Sequence, residues 1–187
     1  MGSVIFAVNI TIDGVCDHTN VIADDELHEY FTELLRGVDI VVFGRKTYQL
    51  MYPYWHDIAV SQSETTATNE FARKFDSMER IVFSKTLNKV EWAKTRISRE
   101  KPEDEISRLK QQSGKKISVG SLNIASHLAR LGMIDEFHFV VHPIVAGAGR
   151  RLFENEKLKE NLRLKLIETK TFRSGAVALH YKTMHNK

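Results

Sequence analysis

The stretch that most constrains the fold is Asp39 to Phe43, Asp-Ile-Val-Val-Phe. A strand with one wet face alternates polar and apolar residues. This one does not, so it predicts a central strand covered on both faces, as in a parallel sheet wrapped by helices. Other short apolar runs predict further strands: Val4 to Thr11, Arg80 to Phe83, Lys116 to Val119 and Ile134 to Val141. Between them lie segments of helical period. Asp24 to Arg36 sets Leu27, Tyr30, Phe31, Leu34 and Leu35 on one stripe, with acidic residues in its first turn and Gly37 behind its end. Thr66 to Ser77, Pro102 to Gln112 and Leu122 to Leu131 are also expected to be helical, and a short helix is expected to begin at Gly44. Leu162 to Thr169 and Ala176 to Thr183 predict late antiparallel strands. The polar stretch Ser61 to Asn69 predicts a mobile loop. Alternating strands and helices followed by paired strands imply an α/β fold. Its central sheet is mixed and mostly parallel, with antiparallel C-terminal strands, and residues 1–187 form a single domain.

Three of the expected strands end alike. Phe43 runs into Gly44-Arg45-Lys46-Thr47, Phe83 into Ser84-Lys85-Thr86, and Val119 into Gly120-Ser121-Leu122-Asn123. Ligands of open parallel sheets bind beyond the carboxyl ends of strands. Helix N-termini there offer unpaired N–H groups to phosphates, and glycine lets the backbone come close. Arg45, Lys46 and Lys85 add cations suited to phosphate oxygens. Together these ends outline a cradle for a phosphate-bearing cofactor. Neither the P-loop nor the G-x-G-x-x-G turn is present. Gly147-Ala148-Gly149 reads as a plain strand-to-loop turn.

Gly44-Arg45-Lys46-Thr47-Tyr48 resembles the GRxT(W/Y) motif of dihydrofolate reductases. Val119-Gly120-Ser121, Gly132-Met133-Ile134-Asp135-Glu136, Pro143, Gly147, Gly149 and Leu152-Phe153 resemble, in order, a more specific pattern. It is that of the reductase domain at the C-terminus of the riboflavin-biosynthesis deaminase–reductase, RibD. Thr11-Ile12-Asp13-Gly14 resembles that family's turn after its first strand. The resemblance spans about residues 4 to 183 without a deaminase's zinc ligands, as in a stand-alone member.

The resemblance implies a three-layer dihydrofolate reductase-like fold, NADPH as cofactor, and a homodimer. It places Arg45 at the 2′-phosphate with Ser84 and Lys85 beside it, and Phe83 near the adenine. Lys46 and Thr47 would hold phosphate from a helix N-terminus that Gly44 opens. Gly120, Ser121, Leu122 and Asn123 would wrap the pyrophosphate, and Ala7, Asp13 and Gly14 would lie by the nicotinamide. Ser121 stands where the family usually has a second glycine. Asp13 and Asp25 are the candidate catalytic acids, and Tyr52 and Trp55 the candidate wall of a substrate pocket. The implied substrate is a small carbonyl or heterocycle, such as the ribosylaminopyrimidine phosphate of riboflavin biosynthesis, or alternatively a pterin. Arg150 and Arg151 are candidate cations for a substrate phosphate. A further alternative is a non-catalytic nucleotide-binding relative. The C-terminal strands with Phe137, Phe139 and Val141 are candidates for the dimer contact, and core packing explains these residues equally well.

Composition removes other classes. Lys plus Arg is 27 against 24 for Asp plus Glu, too even a balance for a nucleic-acid or polybasic membrane protein. A single cysteine, Cys16, excludes an internal disulfide framework and fits a reducing compartment, so a cytoplasmic protein is expected. No run approaches a membrane span, and the first ten residues lack the basic start of a signal peptide. His138 and His142 share a strand face and are expected to be structural, with no metal site.

Overall fold

The structure, a computed structural model, describes residues 2–111, 114–154, 158 and 161–184. In chain order the elements are β1 (Ser3–Thr11), α1 (Asp25–Arg36), β2 (Ile40–Gly44), α2 (Arg45–Ser61), α3 (Thr66–Ser77), β3 (Glu79–Phe83) and β4 (Thr95–Ser98). They continue with α4 (Pro102–Gln111), β5 (Lys116–Val119), α5 (Leu122–Arg130), β6 (Glu136–His142), β7 (Leu164–Thr171) and β8 (Val177–Thr183). All strands join one eight-stranded sheet in the order β4-β3-β2-β5-β1-β6-β8-β7. The six strands from β4 to β6 run parallel, and β8 and β7 follow antiparallel.

The expected central strand behaves as its sequence demands. Ile40, Val41, Val42 and Phe43 are all buried, on alternating faces. Ile40 and Val42 pack with Ile106 and Leu109 of α4 and Ile124 and Leu128 of α5. Val41 and Phe43 pack on the other side with Leu35 of α1, Tyr48 of α2, and Phe71 and Phe75 of α3. Hence α1, α2 and α3 form one outer layer, α4 and α5 the other. A smaller cluster seats Leu27 of α1 on Val140, Phe172 and Ala178. Caps fix where two helices start. Asp24 Oδ1 accepts from the Leu27 N–H at 2.9 Å, and Thr65 Oγ1 from the Thr68 N–H at 3.3 Å, each worth about 1 kcal/mol. No helix among the described residues is long and apolar enough to cross a membrane.

Several expectations need correction. The helix after Gly44 is not short: it runs for 17 residues through Pro53. Proline removes a helical hydrogen bond, but Pro53 faces outward, while Tyr48, Tyr52, Trp55 and Ile58 hold the inner stripe. Ser61 to Asn69 is not a loose loop but a tight helix–helix connection. The Asn69 side chain is buried, donates to the carbonyls of Gln62 and Glu64 at 3.0 and 2.8 Å, and accepts from the Glu64 N–H at 3.2 Å. It thereby replaces backbone partners that the turn leaves out. Strand β4 was not expected: Thr-Arg-Ile-Ser is short and polar because it lies at a sheet edge. Gln112, the expected last residue of its helix, lies outside the described residues.

Candidate active site

Strands β2 and β5 are adjacent and parallel, with Val42 opposite Val119. Their helices leave in opposite directions, α2 to one face and α5 to the other. This is a topological switch point, where an open sheet forms a crevice at its carboxyl edge. Gly44 is the N-cap of α2 and Ser121 the N-cap of α5, and neither helix has a side-chain cap of its own. The Ser121 hydroxyl turns instead to the neighbouring helix. Its Oγ accepts from the Gly44 N–H at 2.7 Å and lies 2.8 Å from Thr47 Oγ1. Two helix N-termini therefore meet side by side, with first-turn N–H groups free for an anion.

Sequence explains why the crevice stays open. A Cβ on Gly120 would lie 2.4 Å from a Phe43 ring carbon, so only glycine fits against that ring. Ser121 has ordinary extended angles, φ −131° and ψ 127°, so a side chain there brings no backbone strain. Arg45 and Lys46 are exposed at the first turn of α2 and pair with no described residue. One strand over, Gly44 is opposite Phe83 of β3, which leads to the exposed Lys85. Ser84 Oγ accepts from the N–H groups of Thr86 and Leu87 at 3.2 and 3.0 Å, closing a tight turn. The Arg99 guanidinium donates to the carbonyls of Ser84 and Leu87 and holds that turn from below. Arg99 was missed by the sequence reading, because its role depends on β4 lying beside β3.

On the other flank the loop after β6 folds back over the α5 N-terminus. Arg150 accepts from the Cys16 N–H at 2.7 Å through its carbonyl, and its guanidinium donates to Asn123 Oδ1. Arg150 thus stands beside the cradle and not at a separate phosphate site. Gly149, at φ +136°, lies where a Cβ would strike Val15 at 2.5 Å, so the loop can lie flat on residues 13–16. Burial pushes the Cys16 thiol above its ordinary range, which suits a packing role.

The two candidate acids are engaged elsewhere. Asp13 Oδ1 accepts from Thr11 Oγ1 at 2.5 Å and from the Ala146 N–H at 3.1 Å, and its Oδ2 from the Gly147 N–H at 2.9 Å. Arg151 Nη2 lies 3.7 Å from the same carboxylate. The Thr11 and Ala146 bonds hold Asp13 down to about 2, so it clamps the loop as an anion and is a poor proton donor at neutral pH. Asp25 is exposed at the start of α1 and accepts from Thr65 Oγ1 at 2.5 Å, tying α1 to α3. Tyr52 and Trp55 are partly buried against aromatic neighbours. Tyr52 stacks on Tyr48 with ring centres 5.7 Å apart, and Trp55 meets Phe71 edge-on at 4.6 Å, both within the α2–α3 packing. Ala7 sits mid-strand opposite His138, and Gly14 makes the β1 turn with φ +82°. His142 is fully buried, accepts from the Ile22 N–H at 3.3 Å and bonds Asn9 Oδ1 at 3.0 Å, as a structural histidine should. Phe137 is core, stacked on Phe139, and not free for a subunit contact.

The donor set suits a phosphate-bearing group: two uncapped helix starts, a backbone approach that only glycine permits, Arg45 and Lys46 without a described partner on one side, and Arg150 on the other. Comparison with known proteins agrees with this architecture. The chain is 29% identical to the uncharacterized protein YyaP of Bacillus subtilis strain 168 over 95% of this chain and 93% of that one. It superposes with a TM-score of 0.71 on a putative riboflavin biosynthesis protein from Shewanella sp. PV-4, at 18% identity, covering 98% of this chain and 99% of that chain. A deaminase/5-amino-6-(5-phosphoribosylamino)uracil reductase from Thermotoga maritima superposes with a TM-score of 0.68 at 15% identity, covering 98% of this chain and 57% of that one. The family model of the RibD C-terminal domain matches residues 3–178, nearly the whole chain, and the protein belongs to that family.

Proposed function

We propose that the protein is an NADPH-dependent reductase of a small carbonyl or heterocyclic compound. The observation that carries this reading is the pair of uncapped helix N-termini held together by Ser121 and Gly44 at the switch point. NADPH, when bound, supplies the hydride. The first-turn N–H groups of α2 and α5 bind its pyrophosphate, and Arg150 adds charge from the covering loop. Arg45 and Lys85 take the 2′-phosphate from adjacent strand ends, and Phe83 flanks the adenine. Ala7 and Gly14 leave room for the nicotinamide above β1. Asp13 fixes the loop that excludes water from that edge. The proton that accompanies the hydride comes from solvent, since both candidate carboxylates are committed to structural bonds. The substrate class follows the family: a ribosylaminopyrimidine phosphate or a related sugar-bearing pyrimidine. We also place the protein in the cell as a homodimer. The edge strand β7 exposes Leu166 and Ile167 for that contact, with Phe137 withdrawn into the core.

Parallel fluorescence titrations with NADPH and NADH test the reading. Micromolar NADPH binding with much weaker NADH is expected, followed by substrate-dependent oxidation of NADPH. Absence of binding by either nucleotide overturns it. Binding without oxidation across the pyrimidine substrates and a pterin favours a non-catalytic relative instead.

A further inference from the structure

A second group of chemically capable side chains lies at the opposite ends of the parallel strands. Glu136 and His138 stand on one face of β6, and His180 faces them from β8, directly opposite His138 in the register. One ligand atom from each falls within 4.8 Å of the others. His180 Nε2 lies 2.9 Å from Glu136 Oε2, and His138 Nε2 lies 3.8 Å from the same oxygen. The two imidazoles stack with centres 4.1 Å apart and planes 13° apart, and both Nε2 atoms lie near the Glu136 carboxylate.

His138 gives the second, independent observation. It is 6% exposed, and its Nε2 makes no hydrogen bond to any described residue. A buried polar nitrogen left unpaired costs free energy that a fold ordinarily avoids. Its other nitrogen, Nδ1, is 3.0 Å from the Tyr30 hydroxyl on α1. When Nδ1–H donates to that oxygen, Nε2 presents a lone pair toward Glu136 and His180. An oxygen partner on the far ring nitrogen is what fixes a metal-ligating histidine in its tautomer.

We propose that Glu136, His138 and His180 form a binding site for one divalent transition ion of the zinc class. Ligand bonds near 2.0–2.1 Å in a tetrahedral site separate ligand atoms by about 3.3 Å. The two histidine-to-carboxylate distances, 2.9 and 3.8 Å, bracket that value, and the stacked rings must turn out of parallel for both Nε2 lone pairs to meet one ion. Two imidazoles and one carboxylate suit borderline ions and not magnesium or calcium, which prefer oxygen alone. Lys116 Nζ, 3.8 Å from Glu136 Oε2, is the cation that balances the carboxylate without a metal. Its partly exposed stem lets it swing aside as the ion enters. His138 and His180 also line a cavity of about 700 Å³ between α1 and the sheet, together with Glu29, Glu33, Glu168 and Lys170. Water or a small anionic ligand can therefore reach the ion. The site joins β6 to β8 and adjoins β1, where Ala7 is the register partner of His138.

The test is zinc titration of the metal-stripped, tag-free protein against a chromophoric chelator, with cobalt(II) absorption as a second readout. One Zn²⁺ per chain at micromolar affinity or tighter is expected, with visible cobalt bands of a tetrahedral site. His180→Asn and Glu136→Gln should each weaken Zn²⁺ at least tenfold, while His18→Ala, at an exposed histidine elsewhere, should not. Far-ultraviolet circular dichroism confirms that each variant is folded, and His138→Gln serves if either is not. Zinc binding weaker than about 100 μM, or binding that His180→Asn and Glu136→Gln leave unchanged, overturns the proposal.

Discussion

The Ser121 hydroxyl lies 2.7 Å from the Gly44 N–H and so holds the N-cap residue of a helix that is not its own. This one bond fastens the start of α5 to the start of α2 across the switch point. Ser121→Ala removes it and leaves the Gly44 N–H and the Thr47 hydroxyl without their partner. A loss of about 1 kcal/mol in stability is expected by denaturant titration. A several-fold rise in the NADPH Kd should accompany it, because the two helix starts are no longer held at one spacing. Ser121→Gly should behave alike, since the backbone there has no need of glycine.

Arg45 is exposed at the first turn of α2 and pairs with no described residue, one strand from Lys85. A guanidinium with no protein partner is free to take a doubly charged phosphate. Arg45→Ala should weaken NADPH by about 1.5–3 kcal/mol, roughly tenfold to a hundredfold, and leave NADH nearly unchanged. Equal losses for both nucleotides would remove Arg45 from the 2′-phosphate.

Asp13 separates a clamp from an acid. Its bonds to Thr11 and the Ala146 and Gly147 N–H groups favour the charged form. Asp13→Asn should therefore loosen the 144–151 loop, seen as faster proteolytic nicking there. The pH–rate profile between pH 5 and 9 should keep the limbs of the wild type. Loss of a limb in the variant would make Asp13 the proton donor after all.

The parts of this molecule that the sequence disclosed are those with a local cause. Asp39 to Phe43 could only be a doubly covered strand, and Gly120 and Gly44 marked strand ends that do lie side by side. The parts that stayed hidden depend on partners distant in the chain. Nothing near Tyr52 or Trp55 shows that α2 continues past Pro53, because the stripe that holds it finds its partners on α3 and at Trp92. Arg80 heads the expected strand Arg80 to Phe83, and nothing local shows where its guanidinium goes. In fact it is 1% exposed, with its guanidinium 3.7 Å from the Trp92 ring centre and bonded to the carbonyls of Phe75 and Ala93. Asp13 is a candidate catalytic acid in sequence because the family resemblance sets it beside the nicotinamide. Only the return of residues 146–151 to that turn shows that it is a loop anchor. His138 paired in the sequence with His142 on the same strand, but its metal-competent neighbour, His180, comes from β8.

Glu105 tests how far one buried ion group sets acid stability. Its side chain is 1% exposed on α4, with Arg96 Nη2 at 2.5 Å, Arg108 Nη2 at 2.8 Å and Ser98 Oγ at 3.0 Å. Burial alone raises the carboxyl, but the bonds from Arg96, Arg108 and Ser98 outweigh it and hold the group at about 2 against an ordinary 4.5. A carboxyl depressed in the folded state stabilises the fold fully above its unfolded value, and that contribution disappears as pH falls toward the folded one. The wild type should therefore lose stability between about pH 4.5 and 2. Glu105→Gln should cost about 2 kcal/mol at pH 7, because both arginines are half exposed and recover water when unpaired. The gap between wild type and variant should narrow steadily as pH falls through that window, measured by urea unfolding at each pH. A gap that stays constant from pH 7 to 2.5 would show that Glu105 stabilises by packing and not by charge.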